Sequence, residues 1–192
     1  GRAQPGFGGF ECPECELGTA QPLEQQVACV ACDPGYSAPV RGLRNCLDCQ
    51  PGKFQNLSRA AQCVDCPSGR ATSQNKTIQC AQCASGLYAP TGGLPLCLRC
   101  PGGRFQDSEG ADDCEDCAPG EFANVTGASQ CLLCSLGRFS NAPASINCEP
   151  CSPGEFQDGI GKTECKNCSA GSFTATPGQP LCTPCAVGSA SN

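Results

Sequence analysis

Histidine, methionine and tryptophan are absent from the 192 residues, and aromatics are limited to eight Phe and two Tyr. Without histidine there is no Ser-His-Asp triad. With so few large aromatic and aliphatic side chains, a chain of this length lacks the material for one ordinary hydrophobic core. No stretch approaches the roughly 20 apolar residues that a bilayer-spanning helix needs, so no membrane-spanning segment is expected in this stretch. Basic residues are also short: 12 Lys and Arg stand against 18 Asp and Glu, a net charge of −6. Nucleic-acid affinity rests on Lys and Arg against phosphate, so no nucleic-acid partner is expected. With no Met and no signal-peptide pattern at Gly1, the chain reads as a processed or clipped piece.

What the chain has instead is cysteine, 22 of 192 residues, above the level that marks disulfide scaffolds. Every one belongs to a C-x-x-C pair. The first members are Cys12, Cys29, Cys46, Cys63, Cys80, Cys97, Cys114, Cys131, Cys148, Cys165 and Cys182, each 17 residues after the last without an insertion. The expected organisation is therefore one continuous tandem array over 1–192, about eleven C-x2-C-x13 repeats, truncated mid-repeat at both ends. No linker, run of like charge or low-complexity segment suggests a domain boundary.

Three residues after each second cysteine stands a glycine, from Gly18 to Gly188, and Pro34, Pro51, Pro119 and Pro153 precede it in four repeats. A Pro-Gly step suits a type II turn, whose third residue takes positive φ. An aromatic follows two residues later in seven repeats: Phe54, Tyr88, Phe105, Phe122, Phe139, Phe156 and Phe173. A second glycine recurs at Gly42, Gly93, Gly110, Gly127, Gly161 and Gly178. Turn residues come too often for an uninterrupted 3.6 period. The expected fold class is small disulfide-rich repeats, an elongated solenoid or rod of 17-residue units with turns and short β-hairpins and almost no helix. The segment after the Phe is expected to form one hairpin arm.

Two simple pairings treat every repeat alike. One closes each C-x-x-C on itself, which leaves the 13-residue loops open and suits redox sites better than scaffolds. The other is a ladder from each second cysteine to the next first cysteine: Cys15–Cys29, Cys32–Cys46, Cys49–Cys63, Cys66–Cys80, Cys83–Cys97, Cys100–Cys114, Cys117–Cys131, Cys134–Cys148, Cys151–Cys165 and Cys168–Cys182. Interlocked pairing needs a 34-residue period, and eleven pairs do not divide that way. Spacing leaves connectivity open, and the ladder is the expectation.

Cys117-Ala-Pro-Gly-Glu-Phe122, followed by Gly127 and Cys131, resembles the ephrin-receptor-like cysteine-rich repeats, relatives of the small modules of TNF-receptor ectodomains. Cys151-Ser-Pro-Gly-Glu-Phe156, with Gly161 and Cys165, is similar to the same pattern. The resemblance implies an extracellular cysteine-rich module. Such repeats recur in receptors and in long surface proteins of algae and other protists, and the unbroken period is more similar to the long arrays, including those of hair-like surface fibres.

Rival chemistries carry less. C-x2-C…C-x2-C also reads as a four-thiolate zinc signature, but eleven pairs are odd and their uniform spacing does not group them by two. A thioredoxin-like redox site needs one C-x-x-C in a βαβ setting. Asp112, Asp113, Glu115 and Asp116 cluster near Cys114 and read as a solvated acidic patch, because no other repeat copies them. No cofactor or metal is expected, and no pair of carboxylates stands apart as an acid/base couple, so the chain is expected not to be an enzyme. Asn56, Asn75, Asn124 and Asn167 head Asn-x-Ser/Thr sequons and are candidate N-glycan acceptors, although the middle residue of the last is Cys168.

These observations lead to one expectation: an extracellular or cell-surface structural repeat protein forming a rod, stalk or filament shaft. Its partners are itself or other chains in a fibre or surface assembly, with N-linked glycans. The alternative is a receptor-type ectodomain that binds a protein ligand.

Overall fold

The computed structural model describes residues 13–24 and 28–188. Among them there is no helix; twenty strands of two residues each, from Thr19–Ala20 to Thr183–Pro184, pair into small antiparallel hairpins. Two compact units are present. The first takes residues 13–83, 89–98 and 110–112, and the second takes 84–88, 99–109 and 113–188. Both are built from the same repeat.

Each repeat begins with a turn after its second cysteine. In the first, the Thr19 amide donates to the Glu16 carbonyl at 3.1 Å, with Gly18 at φ +76° as third residue, the positive φ that a type II turn requires there. The chain then enters a two-residue strand that ends at the aromatic position. Its partner is the pair of residues between the next two cysteines: Lys53 faces Asp65 and Phe54 faces Val64, and Glu121 faces Leu133 and Phe122 faces Leu132. The hairpin arm is thus the segment ending on the Phe rather than the one after it. The reason lies in the ladder. The Cys32 amide donates to the Gly18 carbonyl at 2.9 Å, and the Cys117 amide to Gly103 at the same distance. Pairing therefore runs into the second cysteine, while the residues after the Phe turn back through the second glycine.

Neighbouring repeats are joined by three recurring backbone hydrogen bonds. In the first unit, the Gly35 amide donates to the Gln55 carbonyl (2.7 Å), the Ala38 amide to Ala60 (3.1 Å), and the Arg59 amide to Cys32 (2.7 Å). In the second unit the same bonds run from Gly103 to Ala123, Gln106 to Ala128 and Ala144 to Cys117, at 2.8, 3.1 and 2.9 Å. Backbone polar groups shielded from water must find partners. Here they find them in the next repeat, so the joint depends little on side-chain identity.

A closer approach links repeats two apart. An ideal Cβ placed on Gly18 would lie 2.0 Å from the Arg59 carbonyl oxygen, and one on Gly103 would lie 2.0 Å from that of Ala144. The contacting carbonyl belongs to the second-glycine position of its repeat. That position takes positive φ even where it is not glycine: Arg59 and Lys76 at 60° and Ala144 at 55°. A Cβ costs about 1 kcal/mol or more in this region. Ala144→Gly is therefore expected to stabilise the second unit by about 0.5–1 kcal/mol, after allowing for glycine's greater freedom when unfolded. A shift of the urea midpoint to higher concentration at unchanged slope would establish it; a shift to lower concentration would refute it.

Candidate functional site

Among the described residues the core consists of cystine, alanine and polar residues, four of them glutamine. Ten disulfides join Cys15–Cys29, Cys32–Cys46, Cys49–Cys63, Cys66–Cys80, Cys83–Cys97, Cys100–Cys114, Cys117–Cys131, Cys134–Cys148, Cys151–Cys165 and Cys168–Cys182, with Cα–Cα spans of 5.6–5.8 Å. The second cysteine of each pair from Cys15 to Cys151 is 0–1 % exposed. Cys185 carries a free thiol. Aromatics pack at the edge of this core rather than filling it. Phe105 lies half-buried against a cluster of Cys117, Ala123 and Ala128, residues of the following repeat, and Cys131 packs on the same cluster.

The residue after the aromatic position is buried in nearly every described repeat, and it is polar in most. Gln157, at 2 % exposure, is the largest fully buried side chain of the described residues. Its Nε2 donates to the Glu164 carbonyl at 2.6 Å, and its Oε1 accepts from the Gly159 amide at 3.0 Å. Gln55 bonds Gln62 and Leu57 in the same way, and Gln106 bonds Asp113 and Ser108. Ser140 holds its loop through Ser145 and Ala142 instead. The amide is a clamp across the loop that the disulfide closes. Sequence reasoning passed over it, although Gln21, Gln55, Gln106 and Gln157 fall in phase with the 17-residue step. Gln157→Leu takes the side-chain partner from the Glu164 carbonyl and the Gly159 amide, both partly buried bonds. It is expected to cost about 2–4 kcal/mol and to speed hydrogen exchange at Gly159, where an unchanged Gly159 rate would remove the clamp's role.

Between successive hairpins runs a shallow groove built from equivalent positions. In the first unit it is lined by Ala20, Val30, Asp33 and Tyr36, and one repeat on by Ser37, Leu47, Gln50 and Lys53; Cys46 borders both. In the second unit Phe122, Leu132, Ser135 and Arg138 line its counterpart. Ion pairs cross the hairpins beside it. Lys53 meets Asp65 at 2.5 Å, and Arg104 meets Asp116 at 2.5 Å and Asp113 at 3.5 Å, each strand pair placing the opposite charges face to face. These exposed contacts contribute little stability.

Asp113 and Asp116 of the acidic patch are thus engaged by Arg104, and Asp113 also accepts from the Cys114 amide at 2.7 Å. Among the described residues no group of three or more His, Cys, Asp or Glu is placed to hold a metal ion. Lys76 lies over the Tyr36 ring and 3.7 Å from Asp48; the Tyr36 hydroxyl first, then Asp48, hold its ammonium above the ordinary lysine range. The Lys166 ammonium, hydrogen-bonded at 2.7 Å, holds the Asp158 carboxyl below the usual range.

All four sequon asparagines are exposed. Asn56 and Asn124 each directly follow a buried core position, Gln55 and Ala123, so their side chains leave the core at one equivalent point. Asn75 lies in the turn before Lys76, which has positive φ. Asn167 sits in a strand facing Glu155, with Cys168 of its sequon bridged to Cys182. The structure buries the second cysteines of the pairs from Cys15 to Cys151, leaves most of their bridged partners half-buried, and sets the four asparagines apart from one another on the surface.

A family model described as tyrosine-protein kinase ephrin type A/B receptor-like matches residues 35–78, 72–117 and 137–179, well over half of the chain. No curated protein matches it. No helix of the described residues is long and apolar enough to cross a membrane.

Proposed function

The chain belongs to the ephrin type A/B receptor-like family of cysteine-rich repeats, and from that premise we propose that it is a structural segment of an extracellular protein, a rod, stalk or filament shaft rather than an enzyme. Disulfides persist in oxidising compartments, so ten of them, together with the family, fit an extracellular setting. The observation that carries the structural reading is the identity of the joint from repeat to repeat. The same three backbone bonds and the same glycine–carbonyl approach recur in both units, and an array joined through its backbone extends by adding copies. A ligand-binding domain instead needs one repeat whose surface departs from the rest.

The reading that this is a receptor-type ectodomain is favoured by the family's own description. Electron microscopy of material shed from or attached to the source cells separates the two. Regular fibres containing the chain support the structural role, whereas isolated short particles bound to a protein ligand support the receptor. N-glycans at Asn56 and Asn124 belong to the proposal, and a mass loss on treatment with peptide-N-glycosidase tests them.

A further inference from the structure

Charge is shared unevenly along the repeats. Residues 34–104 carry eight Lys and Arg against two Asp and Glu, a net +6, whereas residues 105–192 carry three against eleven, a net −8. Residues 1–33, with one against five, complete the overall −6. Ion pairs within the chain satisfy part of this: Arg41 with Glu16, Lys53 with Asp65, Lys76 with Asp48, Arg104 with Asp113 and Asp116, and Lys166 with Asp158. Arg44 and Arg59 in the first unit are exposed and take part in none of these pairs, and the same is true of Glu149 and Glu164 in the second.

Apolar side chains accompany the charges. Val30, Leu47 and Val64 hold the same position in three successive hairpins of the first unit, just after the first cysteine, and are 59 %, 48 % and 53 % exposed; Leu132 holds it in the second unit at 47 %. Val30, Leu47 and Leu132 also line the recurring groove. Exposed apolar groups repeating at one structural position, with Arg44 in the groove beside Val30, mark an interaction surface.

We propose that the partner of this surface is a second copy of the chain, with the basic stretch 34–104 of one copy lying on the acidic stretch 105–188 of the other. Two copies running in the same direction, as in the fibre reading, and aligned without a shift would set like charge against like, which opposes association. A shifted register sets opposite charges together and selects one alignment. The aliphatic side chains supply the area removed from water. In that shifted parallel register each copy keeps its other charged stretch for a further copy, so the contact is heterologous and propagates, whereas an antiparallel pair would join both stretches at once and close. The proposal rests on the fibre reading above and adds to it the contact and its sign.

Sedimentation velocity of the 192-residue chain tests it. Self-association is expected at 50 mM NaCl and is expected to weaken about tenfold or more by 500 mM, as screening shortens the reach of surface charge. The double variants Arg44→Glu/Arg59→Glu and Glu149→Lys/Glu164→Lys are each expected to stay monomeric at 50 mM. Mixing the two is expected to restore association, because the first keeps the acidic stretch and the second the basic one; that recovery also establishes that both variants are folded. A chain that is monomeric at both salt concentrations overturns the proposal. So does association that salt does not weaken, or a mixture no better than its parts. The fibre reading is judged separately by microscopy, so fibres with charge-blind association would remove this contact alone, and absence of fibres would remove the reading while leaving the salt-sensitive pairing measurable.

Discussion

Reduction of all ten bridges is expected to unfold the described repeats rather than loosen them. Each bridge joins cysteines 14 residues apart. Closing such a loop is worth about 3 kcal/mol, and ten together about 30 kcal/mol. Folded domains hold only about 5–15 kcal/mol in total, so even half that sum reaches the upper end of the whole stability. Nothing else in the core can substitute. Among the described residues, the buried apolar side chains apart from cystine are alanines, and the only large buried side chains are glutamines. Hydrogen exchange read before and after dithiothreitol checks this. The amides of Gly35, Gly103 and Gly120, which donate to carbonyls of the next repeat, are expected to lose protection together and to regain it on reoxidation. Protection that survives complete alkylation of the bridged cysteines would mean that backbone bonding alone holds the repeats. Removing one bridge by Cys117→Ala/Cys131→Ala is expected to cost about 3 kcal/mol and to be felt at Phe105, which packs against the cluster that Cys117 forms with Ala123 and Ala128.

The 17-residue step made much of this fold legible. It marked one turn and one short hairpin per repeat, and the frequent glycines argued against helix, as the described residues show. Two features stayed hidden for physical reasons. Gly103 and Ala144 are 41 residues apart, and the period that relates them does not say which repeats touch; glycine at the first position is equally well explained by its turn. Ala144 also disguised the rule at the second position, because a residue with a Cβ stands where the backbone still takes positive φ. Gln157 was hidden by its chemistry. A long amide after a Phe reads as a surface residue, since burial of such a group is tolerated only when all its hydrogen-bonding atoms are met. That condition is satisfied by backbone groups of the loop, which carry no side-chain signature. For the sequons the sequence marks the acceptors, and exposure of Asn56 and Asn124 follows from their place one residue beyond a buried position.

A single methyl group at Gly103 is expected to do damage that the same group at Gly171 does not. Both glycines have nearly the same backbone, φ +83° and +81°, so both alanine variants carry the same left-handed cost of about 1–2 kcal/mol. Around Gly171 nothing lies within 4 Å of the added carbon. At Gly103 the carbon would stand 2.0 Å from the Ala144 carbonyl oxygen and 2.6 Å from its carbon, a distance at which one of the two backbones must move. Gly103 cannot yield freely, because its amide donates to Ala123 at 2.8 Å and its carbonyl accepts from Cys117 at 2.9 Å. Ala144 cannot either, since its amide donates to the buried Cys117 carbonyl at 2.9 Å. Whichever gives way forfeits at least one buried hydrogen bond and its desolvated partner, about 1–3 kcal/mol more. Gly103→Ala is therefore expected to cost about 2–5 kcal/mol and Gly171→Ala about 1–2 kcal/mol, read as urea midpoints of the two variants side by side. Exchange at the Ala144 amide should quicken in the first variant only. Equal midpoints would mean that the carbonyl approach is not what restricts this position to glycine, and the turn alone would explain it. A clear gap would mean that the glycine serves the contact between repeats two apart, so a side chain there would disturb the joint by which the array extends.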